Sequence, residues 1–322
     1  MHAIEVGAYG DSDELESVEQ PVPETEAGEV RIAVEAAGIN FADIMQRRGL
    51  YPGGPEPAYV PGMEVAGTID ATGEGVGLSE GDRVVAMCNG GGYAEFVTVD
   101  ARMILPVPDG MSFVDAAGFP VQFLTAHSCL FAWGGLEAGE SVLIQAAAGG
   151  VGTAAVQLAS RAGATVFGTA SSDEKLELAA DLGCNHPINY TETDFREVVR
   201  AETDDGVDLV LESVGDDVFD RSLDALAHFG RLVTYGVASG VPATAQNQRL
   251  LFENKSVIGF HLGQASRRDP ERIMQAIPEL TEGLASGDLE VVVGETFPLE
   301  DVAEAHQFIE DRESMGKVVL VP

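Results

Sequence analysis

A chain of 322 residues exceeds what one ordinary hydrophobic core serves and fits two domains. Its 45% hydrophobic content excludes an acidic disordered chain, although 53 acidic against 18 basic residues give a net charge of -35. That charge must coat a folded surface, which disfavours nucleic acid and anionic membranes as partners and predicts adaptation to high salt, where screening relieves self-repulsion.

In chain order, Met1–Val6 shows no basic, apolar leader pattern. Residues 1 to about 120 read as β-rich: alternating runs such as Glu29–Val34 and Arg83–Met87 are separated by Gly, Pro and Asp. The stretch Tyr51-Pro52-Gly53-Gly54-Pro55-Glu56-Pro57 marks an exposed loop. From about residue 121 the rhythm becomes strand–helix alternation. Strands are expected at Val142–Gln145, Thr165–Thr169, Val207–Leu211, Arg231–Val237 and Ser256–Phe260, with helices between them, so an α/β doubly wound parallel sheet follows. A helix from about Asp269 to Ala285, a strand near Leu289–Val293, a helix from Leu299 to about Asp311 and a strand Lys317–Val321 close the chain. This tail is expected to return to the first domain. The assignment is 1–120 with 266–322 for the β-rich domain and 121–265 for the inserted one. The most apolar stretch, Val142 to Ala170, is broken by Gln145, Gln157 and Arg161 and is no membrane span. Cys88, Cys129 and Cys184 form no C-x-x-C, which suits a reducing cytoplasm.

The run Ser141–Gly152 carries the strongest signal. An apolar strand enters a turn that reads A-x-G-x-x-G from Ala147, and an amphipathic helix follows. Small side chains at Ala148, Gly149 and Gly150, with Val151, let a diphosphate approach the backbone N–H groups and positive dipole end of the helix. At the end of the next strand, where an NAD site places an acid, stand Ala170 and Ser171. Ser171, Ser172 and Lys175 suit a 2′-phosphate, and Tyr190 is placed to close over it, so NADPH is favoured over NADH. Against this, Ser171 and Glu174 form a capping-box pattern, and Asp173 lies 21 residues beyond Gly152, near ribose-acid spacing.

A zinc-dependent dehydrogenase needs three Cys or His ligands and an open position. Gly38–Asp43 has no Cys, Met63 stands where a His would serve, and none of the six histidines is at ligand spacing. Without a Lewis acid, hydride transfer suits a substrate that is already electrophilic, a quinone or an α,β-unsaturated carbonyl, whose oxygen needs only hydrogen-bond donors.

The segments Gly38-Ile39-Asn40-Phe41-Ala42-Asp43, Arg48–Pro52, Pro61–Gly67, Gly81–Val84, Ala146–Gly152, Ser213-Val214-Gly215 and Gly316–Leu320 together resemble the zinc-free quinone oxidoreductases, the zeta-crystallin-like group of the medium-chain dehydrogenase/reductase superfamily. The resemblance spans nearly the whole chain. It implies a GroES-like catalytic domain, a Rossmann NADPH-binding domain, a cleft between them, and a homodimer in which edge strands of two Rossmann sheets pair. It implies that Asn40, Asp43 and Tyr51 line the substrate cleft, with Tyr51 and Asn40 donating to the carbonyl. Asn40 also counts among the cofactor contacts. Thr125, expected at the start of a helix joining the domains, is implied to lie near the nicotinamide, and Val214, Gly236 and Phe260 along the nicotinamide and its ribose. Ser171, Lys175 and Tyr190 match the phosphate site, and Lys317 a position near the cofactor. The expected activity is NADPH:quinone reduction in the cytoplasm without a metal. The alternatives are an NADPH-dependent enone, 2-alkenal or enoyl-thioester reductase, and a non-catalytic NADPH-binding protein of the crystallin kind.

Overall fold

The computed structural model describes residues 1–322, and the chain divides into two units: Met1–Val121 with Val291–Pro322, and Gln122–Glu290. In chain order the first unit opens with strands β1 (His2–Val6), β2 (Leu15–Glu19) and β3 (Glu29–Ile39) and helix α1 (Phe41–Arg47). Strands β4 (Glu64–Thr72), β5 (Arg83–Met87), β6 (Phe96–Asp100) and β7 (Ile104–Pro106) follow, then helix α2 (Phe113–Ala117); helix α3 (Pro120–His127) begins here and continues into the second unit at Gln122.

The second unit alternates. It runs β8 (Ser141–Ile144), α4 (Gly150–Arg161), β9 (Thr165–Ala170), α5 (Asp173–Asp181), β10 (His186–Asn189), α6 (Phe195–Glu202), β11 (Val207–Glu212), α7 (Asp216–Ala225), β12 (Leu226–Thr234), α8 (Asn247–Glu253) and β13 (Ser256–Gly259). Helices α9 (Leu262–Arg268), α10 (Pro270–Met274) and α11 (Ile277–Ser286) end it. The chain then returns to the first unit through β14 (Val293–Pro298), α12 (Val302–Glu310) and β15 (Lys317–Val321).

The expected second boundary at 265/266 therefore moves to 290/291. Residues 266–290 stay with the parallel sheet because their side chains are held there. The Arg272 guanidinium stacks 3.9 Å from the Trp133 ring, His127 meets Glu279 at 3.5 Å, and the Gln157 side chain bonds both the carbonyl and the N–H of Glu290. The single expected helix over 269–285 is two short ones, α10 and α11, because Pro270 and Pro278 each open a new first turn. No strand forms at 289–292; pairing starts at Val293. The short strand β10 was not anticipated.

In the first unit the sheet runs β14-β15-β3-β4-β5-β7, with β6 also paired to β3. Alternate residues of β3, Val30, Ile32 and Val34, point into a core shared with Val65, Ile69, Val84, Val97 and Leu320. In the second unit six strands run parallel in the order β10-β9-β8-β11-β12-β13. Burial on both faces explains their continuous apolar sequences, as in Val142-Leu143-Ile144 and Leu209-Val210-Leu211. This is the expected doubly wound sheet. Its strand order reverses between β8 and β11, the place where such sheets open a crevice at their carboxyl ends.

Candidate functional site

The turn after β8 is tightly specified. Ala147 N–H donates to the Thr169 carbonyl at 2.9 Å and Gly149 N–H to that of Ala146 at 3.0 Å, while Ala146 adopts φ +54°. Behind it runs a buried side-chain relay. Ala146 N–H donates to Thr169 Oγ1, Thr169 Oγ1 to Gln145 Oε1 at 2.7 Å, and Gln145 Nε2 to Ser222 Oγ at 3.0 Å. Gly152 has no room for a side chain, because a Cβ there would lie 2.1 Å from the Ala146 carbonyl oxygen. α4 then opens at Gly150, with the N–H groups of its first turn lacking intrahelical acceptors, as at any helix start. The fingerprint thus forms the strand–turn–helix it requires.

Because the six strands are parallel, the cofactor residues expected in this unit, Thr125 apart, fall at the carboxyl ends of the strands, in spatial order. Tyr190 follows β10, Ser171 follows β9 with Lys175 in the first turn of α5, and Ala148–Val151 follow β8. Val214 follows β11, Gly236 lies just past β12, and Phe260 follows β13. Tyr190 N–H donates to the Ala170 carbonyl at 3.1 Å, which sets Tyr190 beside Ser171. The expected capping role of Ser171 is not seen: Ser172 is the N-cap residue of α5 and makes no side-chain cap bond. Val214 and Gly215 N–H groups donate to Glu212 Oε1 at 2.6 and 2.8 Å, and burial holds the Glu212 carboxyl above its ordinary range. Phe260 packs edge-on to Trp133 with 4.8 Å between ring centroids. Thr125 is buried in the last turn of α3, not at its start.

The strand-rich unit holds a separate polar cluster. Antiparallel register puts Val318 opposite Ile39 and Val65 opposite Ala37, so Lys317, Asn40 and Glu64 meet around the end of β3. Lys317 Nζ forms an ion pair with Glu64 Oε1 and donates to Asn40 Oδ1 at 2.8 Å. Asn40 Nδ2 donates to Glu64 Oε1 at 3.0 Å and, at 3.4 Å, to the Gly38 carbonyl. Glu64 Oε2 accepts Val121 N–H from the first turn of α3 at 2.9 Å. The pair fits because residue 38 is glycine: a Cβ there would lie 2.3 Å from the Ala117 carbonyl oxygen and 2.7 Å from Lys317 Cε.

Lys317 is only 3% exposed and is held by Glu64 inside the unit. Asp43 is fully buried, and its carboxyl supports the Asn40 loop. Asp43 Oδ2 accepts Asn40 N–H at 2.8 Å and the Tyr93 hydroxyl at 3.1 Å, and burial pushes its pKa up to about 6. Tyr51 is half-buried in the loop after α1, its carbonyl accepting Gly54 N–H at 3.0 Å. Glu64 and Tyr93 were not anticipated. The signal for Glu64 was a carboxylate opening an otherwise apolar strand, Glu64-Val65-Ala66-Gly67.

The segment 150–282 matches the family model described as zinc-binding dehydrogenase, and 26–109 that described as alcohol dehydrogenase GroES-like domain. The synaptic vesicle membrane protein VAT-1 homolog of Danio rerio is 36% identical over 337 residues, spanning 99% of this chain and 69% of that protein. A mycobacterial protein solved in complex with NADPH superposes with a TM-score of 0.95 at 38% identity, covering 100% of both chains. Escherichia coli quinone oxidoreductase, also complexed with NADPH, gives 0.93 at 32% identity, again over 100% of both. The chain belongs to the quinone-oxidoreductase-like medium-chain dehydrogenases/reductases. Its strand-rich unit is the GroES-like domain of that superfamily and its parallel-sheet unit the Rossmann-type domain. The zinc in the family model's description does not fit the side chains present. No three His, Cys, Asp or Glu groups converge to hold a metal ion, and Glu64 is already engaged by Lys317. No helix is long and apolar enough to cross a membrane.

Proposed function

We propose that the protein is an NADPH-dependent oxidoreductase that reduces quinones or α,β-unsaturated carbonyls without a metal. The observation that carries this reading is the ordered placement of Tyr190, Ser171, Lys175 and the Ala148–Val151 turn along one carboxyl edge of the parallel sheet. Similarity to two proteins solved with NADPH supports it. NADPH, when bound, supplies the hydride. Ser171 and Tyr190 offer hydroxyl donors and Lys175 a cation to a 2′-phosphate, and the first-turn N–H groups of α4 receive the diphosphate. Val214, Gly236 and Phe260 line the nicotinamide end of that edge, with Thr125 as a further neighbour. Asn40 and Tyr51 donate hydrogen bonds to the substrate oxygen as it gains negative charge. Asp43 holds the Asn40 backbone in place. A small electrophile activated by conjugation suits a site that offers donors but no Lewis acid.

The test is a pair of titrations, NADPH and NADH, followed by fluorescence on native protein and Lys175→Ala. Loss of one phosphate-binding cation is expected to weaken NADPH about tenfold and leave NADH unchanged. Equal effects on both would place Lys175 outside a phosphate site and withdraw the NADPH assignment.

A further inference from the structure

We propose that the buried Lys317–Glu64 pair is a positioning device that fixes which way the Asn40 side chain faces, and so makes residue 40 a hydrogen-bond donor to the substrate oxygen. The inference rests on the reading above that Asn40 meets the substrate. An amide has one accepting and one donating end, and flipping it exchanges them. An ammonium can only donate and a carboxylate can only accept. With Lys317 Nζ on Oδ1 at 2.8 Å and Glu64 Oε1 on Nδ2 at 3.0 Å, a flipped Asn40 would face ammonium with NH2 and carboxylate with oxygen. Only one orientation survives. In it, one Nδ2 hydrogen goes to Glu64. The other is held only by the Gly38 carbonyl at 3.4 Å, the weakest bond of the set and the one an incoming oxygen can replace.

The arrangement has features beyond those a plain structural ion pair needs. Both charges are buried and both bond the same amide. Residue 38 lacks the side chain that would crowd them, and the second Glu64 oxygen accepts Val121 N–H in the first turn of α3. Such a pair need not be favourable for stability. Replacing both members by apolar residues of similar size is often neutral, whereas removing one leaves a stranded charge. Stability and orientation can therefore be separated.

The experiment compares native protein, Asn40→Ala, the double variant Lys317→Met with Glu64→Leu, and the triple combination. Thermal melting first checks that each is folded. The double variant is expected to fold and to bind NADPH within twofold of native, while its kcat with the best quinone or enone falls about tenfold to a hundredfold. Asn40→Ala is expected to cost a similar factor in native protein and almost nothing in the double-variant background, because the pair acts through that amide. Native kcat in the double variant would overturn the proposal, and so would an undiminished Asn40→Ala effect in that background. A weakened NADPH affinity would return Lys317 to the cofactor site instead. Should no acceptor support NADPH oxidation by native protein, the functional reading fails, and orientation is then read from the Asn40 side-chain amide signals in 15N spectra. Signals shifted from free-amide positions in native protein, and at those positions in the double variant, support the pair's role. Identical signals in both refute it.

Discussion

The Tyr93 hydroxyl donates to Asp43 Oδ2 at 3.1 Å, with both side chains sealed inside the GroES-like unit. Burial dominates over this bond and raises the Asp43 pKa to about 6 from an ordinary 3.8. A carboxyl whose folded pKa is raised contributes stability that is fully present below pH 3.8 and lost as pH rises through 6. Asp43→Asn removes the titration and keeps an acceptor for the same donors. The unfolding free energy of the variant relative to native protein is therefore expected to rise by about 3 kcal/mol between those limits, measured by urea denaturation across pH. His306, whose Nε2 lies 3.3 Å from the same hydroxyl, works in the opposite sense. Burial and then the Arg47 charge push its pKa down to about 3, so its contribution is present above 6.5 and lost as pH falls toward 3. A flat pH dependence of the Asp43→Asn difference would show that the carboxyl is hydrated.

The nucleotide turn combines one strained residue with one indispensable glycine. Ala146 is held at φ +54°, a conformation costing an L-residue about 1 kcal/mol, so Ala146→Gly is expected to leave stability unchanged or raise it slightly. Gly152→Ala drives a Cβ to 2.1 Å from the Ala146 carbonyl oxygen. The turn must open, and NADPH affinity is expected to fall at least tenfold, on the order of the loss of a strong phosphate contact. Titration of both variants against native protein checks the contrast.

The homodimer expectation acquires a specific surface. β13 pairs with β12 on one side and forms the edge of the parallel sheet, and the preceding α8 exposes Leu251 at 70% and Phe252 at 77%. An unpaired edge beside apolar side chains favours strand addition by a second copy. Sedimentation is expected to show a dimer that Phe252→Asp shifts toward monomer. A monomer at all concentrations would remove this assignment.

The charge of -35 predicts a salt-dependent fold. The screening length falls from about 10 Å at 0.1 M salt to about 3 Å at 1 M, which suppresses repulsion among surface carboxylates. The melting temperature is expected to climb by on the order of 10 °C over that range. A melting temperature that fell with added salt would contradict halophilic adaptation.

Much of the fold was legible because its signals are local. Lys317–Val321 and Arg83–Met87 alternate or run apolar between turn residues, and both form strands with those bounds. The strand expected at Glu29–Val34 continues to Ile39 because its partners β4 and β15 extend it through Ala36-Ala37-Gly38, small residues with little periodicity of their own. β10 was missed because four residues containing Pro187 carry almost no pattern; pairing with β9 makes them a strand. The site divides the same way. The phosphate-suited residues follow strand ends that can be counted along the chain. The Lys317–Glu64–Asn40 cluster joins residues far apart in sequence, and only sheet register brings them together.

The central claim is metal-independent transfer of reducing equivalents from NADPH to a conjugated carbonyl. Stopped-flow absorbance of NADPH mixed with chelator-treated protein and a panel of quinones and enones in molar salt tests it most directly. Rapid NADPH oxidation with at least one member of either class, slower with NADH and unchanged by chelation, is the predicted result. No oxidation with any acceptor, or activity that returns only on adding zinc, would contradict it.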